Sequence, residues 1–109
     1  MRQYEIWRAD LPAPVGRRPV LLLTRTAGYA YLNKAIVAEI TTTIRGIPQE
    51  IPLGAAEGLP AESVANFDNL HVVALRCLSA RLGAVARERI PEVKRALGYA
   101  LDWPELKVL

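Results

Sequence analysis

Three clusters of polar residues lie where apolar, strand-like runs of this sequence begin or end. The clusters are Arg17, Arg18, Thr24 and Arg25; Thr41, Thr42, Thr43 and Arg45; and Asn66, Asp68 and Asn69. A guanidinium group presents five donors in a planar fork that fits pairs of phosphate oxygens, and hydroxyl and amide groups add hydrogen bonds to the same anion. Threonine runs in strands also follow from β-propensity alone, and an arginine beside a proline is often a solvated loop residue. Three such clusters in one small chain favour contact with a phosphate-bearing ligand.

The residue inventory excludes most enzyme classes that carry a recognisable motif. With one histidine, His71, and one cysteine, Cys77, the usual zinc-binding spacings are absent, so we expect neither a metal nor a cofactor. Nothing near His71 resembles a nucleophile elbow, and a lone histidine in a short strand is more often a surface or packing residue. The glycines stand singly, so there is no glycine-rich phosphate-binding loop.

Length and charge indicate one modestly basic domain. The chain has 109 residues, of which 51% are hydrophobic, so residues 1–109 are expected to form a single domain with one core. Its net charge is +3, and the first 50 residues carry seven Lys and Arg against four Asp and Glu. Eleven of the fourteen cations are arginine, which agrees with a polyanionic partner and also with a simple coding bias.

The cellular compartment follows from the cysteine and from the N-terminus. Cys77 has no partner in the chain for a disulfide, which fits a reducing cytoplasm. The opening stretch MRQYEIWRAD carries charges throughout, unlike a signal peptide, and no apolar run is long enough to span a membrane. We therefore expect a cytoplasmic protein without a membrane segment.

Most of the chain is typical of short strands. YEIWRAD alternates like a strand, and Pro19 to Leu23 is a continuous apolar run typical of a strand covered on both faces. KAIVAEITTT is rich in β-branched residues, and its predicted core-facing set is Ile36, Ala38 and Ile40. QEIPLG predicts a short strand that its proline confines to a sheet edge.

The C-terminal half adds further strands and one helix. Ser63 to Phe67 and Leu70 to Ala74 are predicted as two short strands, and RLGAVA is a candidate for one more. Four apolar residues then recur at helical spacing, with Pro91 near the first turn; they are Ile90, Val93, Leu97 and Leu101. Many short strands followed by one amphipathic helix predict a strongly curved, barrel-like sheet with the helix packed on it.

An ordered set of motifs resembles the MazF/PemK family of toxin endoribonucleases. The motifs are YEIWRADLPAPVGRRPVLLLTR, IVAEITTTIRGIPQEIPLG and GLPAESVANFDNL. The resemblance runs from about Tyr4 into the C-terminal helix. It implies an α+β, mainly β fold, namely an SH3-like barrel with a C-terminal helix.

The resemblance also implies an activity and partners. Members of the family act as homodimers and cleave single-stranded RNA at short sequences without a metal, leaving a 2′,3′-cyclic phosphate and a 5′-hydroxyl. A segment of the cognate antitoxin occupies the RNA groove. By motif, the catalytic arginine corresponds to Arg18 and its partner threonine to Thr41. Asn66 and Asp68 fall in a pattern that lies near the RNA groove in relatives. The remaining candidate RNA-binding residues are Arg17, Thr24, Arg25, Thr42, Thr43 and Arg45.

Elementary chemistry agrees with the role of Arg18. Pro19 favours an extended conformation for Arg18, so the side chain is aimed reproducibly from the start of a strand. When a 2′-oxygen attacks the adjacent phosphorus, negative charge builds on the phosphoryl oxygens, and a fixed cation stabilises that charge most in the transition state. Arginine stays protonated, so it is a poor base. Water, Glu39 and Asp68 remain open as acceptors of the 2′-proton.

Two other functions remain open. A toxin of the same fold could act on DNA gyrase through the C-terminal helix, without using Arg18 or Thr41. Alternatively, the chain could be a catalytically silent homologue that keeps its basic charge and binds nucleic acid without turnover.

Overall fold

Six antiparallel strands form one curled sheet in the computed structural model, which describes all 109 residues. The strands are β1 (Glu5–Asp10), β2 (Arg17–Leu22), β3 (Lys34–Thr41), β4 (Glu50–Leu53), β5 (Ser63–Ala74) and β6 (Leu78–Ala84). Their order in the sheet is β4-β5-β3-β2-β1-β6. The sheet is a half-barrel, and helices α1 (Ile90–Leu101) and α2 (Pro104–Lys107) follow it, which confirms the predicted α+β, mainly β class.

Strand β2 lies near the middle of the sheet and is buried on both faces, as its apolar run predicted. Val20, Leu21 and Leu22 are each 0% exposed. Leu21 packs into one apolar core together with Val93 of α1, whereas Val20 and Leu22 pack into a second core on the opposite face. A strand with a core on each side has little freedom to shift, so its first residues are held firmly.

One of the predicted core positions of β3 is wrong. Ala38 and Ile40 are buried, but Ile36 is 47% exposed, and Val37 on the other face is fully buried. The alternation was assigned correctly, because Ile36, Ala38 and Ile40 share a face. Helix α1 packs near β4 and β5 and covers only part of that face, so the end of β3 that carries Ile36 has no cover.

The two short strands predicted between residues 63 and 74 are one continuous strand, β5. Its pairing with β3 has an irregularity, because Leu70 is opposite Ala38 while Asn66 is opposite the next residue, Glu39. Residues 67–69 of β5 therefore have no paired residue in β3, and they form a bulge in the strand. The predicted break between the two strands, residues 68 and 69, falls within this bulge.

The other elements agree closely with the sequence pattern. Strand β4, which contains Pro52, is an edge strand as predicted. Strand β6 begins at Leu78, three residues before the predicted RLGAVA segment, and ends at Ala84. Helix α1 has Pro91 in its first turn and ends where Asp102 takes a left-handed conformation. The short helix α2 was not predicted, and no helix is long and apolar enough to cross a membrane.

Candidate functional site

The two arginines that begin β2 lie at the mouth of a groove of about 540 Å³. Its lining residues are Arg8, Arg17, Arg18, Pro19, Gly58, Leu59, Pro60 and Leu82. Three of these eight carry a guanidinium and none carries a carboxylate, so the groove attracts anions. Arg17 is the more exposed of the β2 pair, and its Nε donates to Asp10 Oδ1 at 2.9 Å.

The wall facing the arginines is set by two glycines in direct contact. A Cβ on Gly83 would lie 2.0 Å from the carbonyl oxygen of Glu57, and one on Gly58 would lie 2.0 Å from the carbonyl oxygen of Leu82. Gly58 also has a φ of +85°, which disfavours other residues. The turn before β5 can approach β6 this closely only because both positions lack side chains.

A second pocket, of about 190 Å³, adjoins the first and brings Arg18 and Thr41 together. It is lined by Arg17, Arg18, Pro19, Ile40, Thr41 and Thr42. Val20 of β2 is opposite Glu39 of β3, so the same antiparallel register, continued by two residues, sets Arg18 beside Thr41. The two side chains that the motifs singled out therefore line one pocket, although 22 positions separate them in the chain.

Arg18 is held in place by an ion pair. Its Nη1 donates to Glu39 Oε1, and its Nη2 makes a long contact of 3.4 Å with the carbonyl oxygen of Val15. The Nε of Arg18 is buried and has no hydrogen-bond partner. With 31% of its side chain exposed, Arg18 is fixed at one end by Glu39 and still open to the groove and the pocket.

The other oxygen of Glu39 contacts His71, a residue that the sequence analysis set aside. His71 Nε2 lies 3.0 Å from Glu39 Oε2. The side chain of Glu39 is only 12% exposed, and each of its oxygens contacts one partner. This carboxylate of β3 therefore links the guanidinium of Arg18 on β2 to the imidazole of His71 on β5. The one signal in the sequence was the single acidic residue in an otherwise apolar strand, since a buried carboxylate needs cationic or donor partners.

Asn66 of β5 lies opposite Glu39, directly before the bulge, and Asp68 lies on the bulge. Asn66 is 4% exposed, and its Oδ1 accepts the backbone N–H of Asp68 at 2.8 Å. It is opposite Glu39 on one side and Glu50 on the other. Asn66 thus shapes the bulge from inside, and the exposed Asp68 is the member of this pair that an external ligand can reach.

The loop after β3 carries the remaining threonines and Arg45. Thr41 Oγ1 accepts the backbone N–H of Thr43 at 3.1 Å. Glu50 Oε1 accepts the backbone N–H groups of Arg45 and Gly46 at 3.1 and 3.0 Å, which fixes the loop on β4. The side chains of Thr42, Thr43 and Arg45 are exposed.

Thr24 and Arg25 lie at the other end of β2, away from this groove. They line a separate pocket of about 180 Å³ that also includes Ile36 and Val72. Thr24 is buried, and its Oγ1 accepts the backbone N–H of Ile36 at 2.8 Å. Arg25 packs over the ring of Tyr31 with 5.6 Å between the guanidinium carbon and the ring centroid. At the rise of a strand, Thr24 is about 20 Å along the chain from Arg18, so the structure does not unite these two residues with the first cluster.

The sequence profile of the PemK-like, MazF-like toxins of type II toxin–antitoxin systems matches residues 2–101. The chain belongs to this family. Among curated relatives, the probable endoribonuclease MazF5 of Mycobacterium tuberculosis is 38% identical over 99 residues, covering 90% of each chain. Endoribonuclease MazF3 of the same species is 39% identical over 88 residues, covering 79% of this chain and 85% of the relative.

Solved structures of MazF toxins have the same fold. The M. tuberculosis toxin MazF-mt6 superposes with a TM-score of 0.85 at 36% identity, covering 90% of this chain and 96% of that one. An endoribonuclease in complex with its cognate antitoxin, from a mycobacterial species, has a TM-score of 0.83 at 26% identity, covering 95% and 97%. These likenesses confirm the family, the fold and the enzyme class that the sequence predicted.

Proposed function

We propose that this MazF-like toxin cleaves single-stranded RNA at a short sequence, without a metal ion, and leaves a 2′,3′-cyclic phosphate and a 5′-hydroxyl. All 109 residues act as one toxin domain in the cytoplasm. The observation that carries the proposal is the pocket that Arg18 and Thr41 share beside a groove with three arginines.

In this mechanism Arg18 stabilises the transition state. As the 2′-oxygen attacks phosphorus, the charge on the non-bridging oxygens rises, and a guanidinium already aimed by Pro19 and Glu39 needs no reorientation to meet it. Donors of this kind in other enzymes change the rate by roughly 10²- to 10³-fold. Arg18 acts electrostatically, because a guanidinium stays protonated.

Thr41 holds the phosphate for in-line attack. Its hydroxyl lines the pocket with Arg18, and while its oxygen accepts from Thr43, its own O–H can donate to a phosphate oxygen. Two fixed donors on one phosphate restrict its rotation, which raises the fraction of bound RNA in a reactive geometry.

Exposed residues around the groove bind the RNA strand. Arg17 and Arg45 contact phosphates, while Thr42, Thr43 and Asp68 supply polar groups that reach base edges or sugars. Asn66 supports this surface through the bulge. Thr24 and Arg25 contact RNA only outside the cleavage site, where Arg25 and Tyr31 offer a cation and a ring for a more distant nucleotide.

Two protein partners complete the proposal. The cognate antitoxin places a segment in the RNA groove, where acidic side chains would pair with the arginines; one mycobacterial relative has been solved with its antitoxin. A second copy of the chain forms a homodimer. The dimer is supported by the cross-strand pair Ile36 and Val72, which are 47% and 67% exposed and leave an apolar patch on the sheet.

The test uses purified toxin and a 5′-labelled single-stranded RNA in EDTA. Cleavage is expected, with a cyclic phosphate on the upstream product and a 5′-hydroxyl on the other, and a 2′-deoxy substitution at the cleaved nucleotide should abolish it. Arg18→Ala should remove activity while the protein stays folded. Cleavage that requires Mg²⁺, or that continues on 2′-deoxy RNA, would contradict the proposal.

Trapped gyrase–DNA breaks would favour the gyrase alternative, and RNA binding without turnover would favour the silent homologue.

A further inference from the structure

One buried carboxylate contacts two groups that could take part in RNA cleavage. Glu39 reaches Arg18 with Oε1 and His71 with Oε2, and the second contact is 3.0 Å long. Arg18 lines the groove and the pocket, and His71 has 31% of its side chain exposed. The proposed cleavage lacks a group that removes the 2′-proton, and this carboxylate places an imidazole next to the stabilising cation.

The hydrogen bond defines which nitrogen of His71 is free. An ionised carboxylate only accepts hydrogen bonds, so His71 Nε2 must carry the proton that it donates to Glu39. In the neutral ring, Nδ1 then holds the unshared electron pair. A carboxylate that fixes the tautomer and orientation of a histidine, and stabilises the imidazolium that forms, is a recurring arrangement in general-base catalysis.

The other two acceptors that the sequence left open fit less well. Both oxygens of Glu39 are already hydrogen-bonded, and the side chain is only 12% exposed. Asp68 is an exposed carboxylate on the bulge, and imidazole is a stronger base than such a group near neutral pH. His71 is partly exposed, is oriented by Glu39 and has one nitrogen with no hydrogen-bond partner.

Arg18 and His71 lie close enough to act on one cleavage step. Two hydrogen bonds of normal length and the width of a carboxylate put Arg18 Nη1 and His71 Nε2 at most roughly 8 Å apart. Nδ1, the ring nitrogen free to accept a proton, is separated from Nε2 by one ring carbon. The inference therefore requires the phosphate to bind Arg18 and the neighbouring ribose to lie on the His71 side of Glu39.

We propose that His71 is the general base of this toxin and that Glu39 is its positioning residue. The inference depends on the proposed RNA cleavage. His71 Nδ1 takes the proton of the 2′-hydroxyl, the 2′-oxygen bonds to phosphorus, and the bond from phosphorus to the 5′-oxygen breaks. Water in the groove protonates the leaving 5′-oxygen, and the resulting hydroxide takes the proton back from the imidazolium. The charged side chains whose contacts connect to the ring are Glu39 of β3 directly and, beyond it, Arg18 of β2.

The first experiment compares pH profiles of RNA cleavage. The wild type should lose kcat on the acid side of its profile, because a protonated ring cannot accept the 2′-proton. Because His71 is the sole histidine, its ring signals in NMR give the titration midpoint directly, and this should match the kinetic midpoint in RNA-bound protein. His71→Gln should lower kcat by about 10²- to 10⁴-fold, leave KM within a few-fold and remove the acid limb.

Two more variants separate the base from its support. Imidazole in the buffer should restore part of the activity of His71→Ala. Glu39→Gln should lower kcat, because the ring loses the carboxylate that orients it and that stabilises the imidazolium formed during the reaction. Glu62→Gln is the matched control: it removes an exposed carboxylate directly before β5 and should leave the rate and the pH profile unchanged.

The outcomes distinguish this inference from the proposed function. A wild type that does not cleave RNA overturns the proposed function itself. If the wild type cleaves, but folded His71→Gln keeps its rate within threefold or keeps the acid limb, His71 is not the base. Should His71→Gln fail to fold, NMR of the wild type with a 2′-O-methyl RNA decides: ring signals that do not shift on binding overturn the inference.

Discussion

The guanidinium of Arg18 and the carboxylate of Glu39 form an ion pair at the place where the groove and the smaller pocket meet. The pair joins the first residues of β2 to the middle of β3, one strand away. Glu39 accepts a hydrogen bond from Nη1 of Arg18 and so fixes the orientation of the guanidinium. The remaining N–H groups of the guanidinium are left to bind a phosphate. The site is therefore organised before any ligand arrives.

Arg18→Lys should lower kcat by about 100-fold, although the positive charge is kept. An ammonium is a point charge and cannot hold Glu39 on one side and present a planar pair of donors on the other. Steady-state cleavage of a labelled RNA measures the effect. Arg17→Lys is the control, because Arg17 is exposed and contacts only Asp10; it should change KM slightly and kcat little. Full activity of Arg18→Lys would show that Arg18 acts only through its charge, and equal losses in both variants would show that Arg18 has no special role among the arginines.

Thr41→Val should reduce the cleavage rate roughly tenfold. Valine keeps the shape of threonine but removes the hydroxyl of a residue that lines the same pocket as Arg18. The substitution also removes the hydrogen bond from the Thr43 N–H, which costs about 1 kcal/mol of folding stability. Thr41→Ser retains both interactions and should stay active. If Thr41→Val cleaves at the wild-type rate, Thr41 serves only to shape the loop.

Gly83→Ala should destabilise the fold by about 1 to 3 kcal/mol and weaken RNA cleavage. The new Cβ would lie 2.0 Å from a backbone carbonyl of Glu57, so the turn that carries Gly58 must move away from β6 and displace the groove wall. Urea denaturation measures the loss. Gly54→Ala lies in the same region with open space around it and an extended φ of −166°, so it should be tolerated. Equal tolerance of both would contradict the close approach.

The stability of the fold should decrease as the pH falls below about 4.5, in part through Glu5. Burial acts to raise the pKa of Glu5, but hydrogen bonds from Arg81, from Trp7 and from the Arg2 backbone outweigh it, so the net pKa lies below the ordinary value of 4.5. A carboxyl whose pKa is depressed on folding stabilises the protein above the unfolded pKa. That contribution is lost as the pH falls through the folded pKa.

Replacing Glu5 tests this pH dependence. Glu5→Gln should lower the free energy of unfolding at pH 7 by about 1 to 3 kcal/mol and flatten its acid slope. Urea titrations between pH 3 and 7 give both quantities, with Glu62→Gln as an exposed control. An acid slope as steep in Glu5→Gln as in the wild type would assign the pH dependence to other groups, such as Glu92, whose pKa is lowered chiefly by its hydrogen bond from Arg89.

Local pattern was enough to predict most of the elements, and the family resemblance singled out Arg18 and Thr41. A continuous apolar run after Pro19 can be satisfied only by a strand buried on both sides, and β2 is such a strand. Pro52 excludes a central strand, and β4 lies at the edge. The helical spacing from Ile90 predicted α1, because an apolar stripe must face a core.

Burial of individual residues was less predictable. Ile36 and Ile40 share a face of β3, but one is exposed and the other buried, because cover depends on where α1 ends over the sheet. Asn66, predicted as an RNA-binding residue, is only 4% exposed and lies directly before the bulge. Neither difference is visible in the residues themselves, since both depend on what packs against them.

By its own pattern, the sequence determined most of the strands, the helix α1, the position of an arginine at the start of β2 and the family to which the chain belongs. Only the tertiary structure decided that Arg18, Glu39 and His71 meet, and that Thr24 and Arg25 lie elsewhere. The reason is physical: alternation along a strand fixes which face a side chain takes, whereas contact across strands depends on register. Here the register is changed by a bulge whose extra residues a local pattern does not reveal.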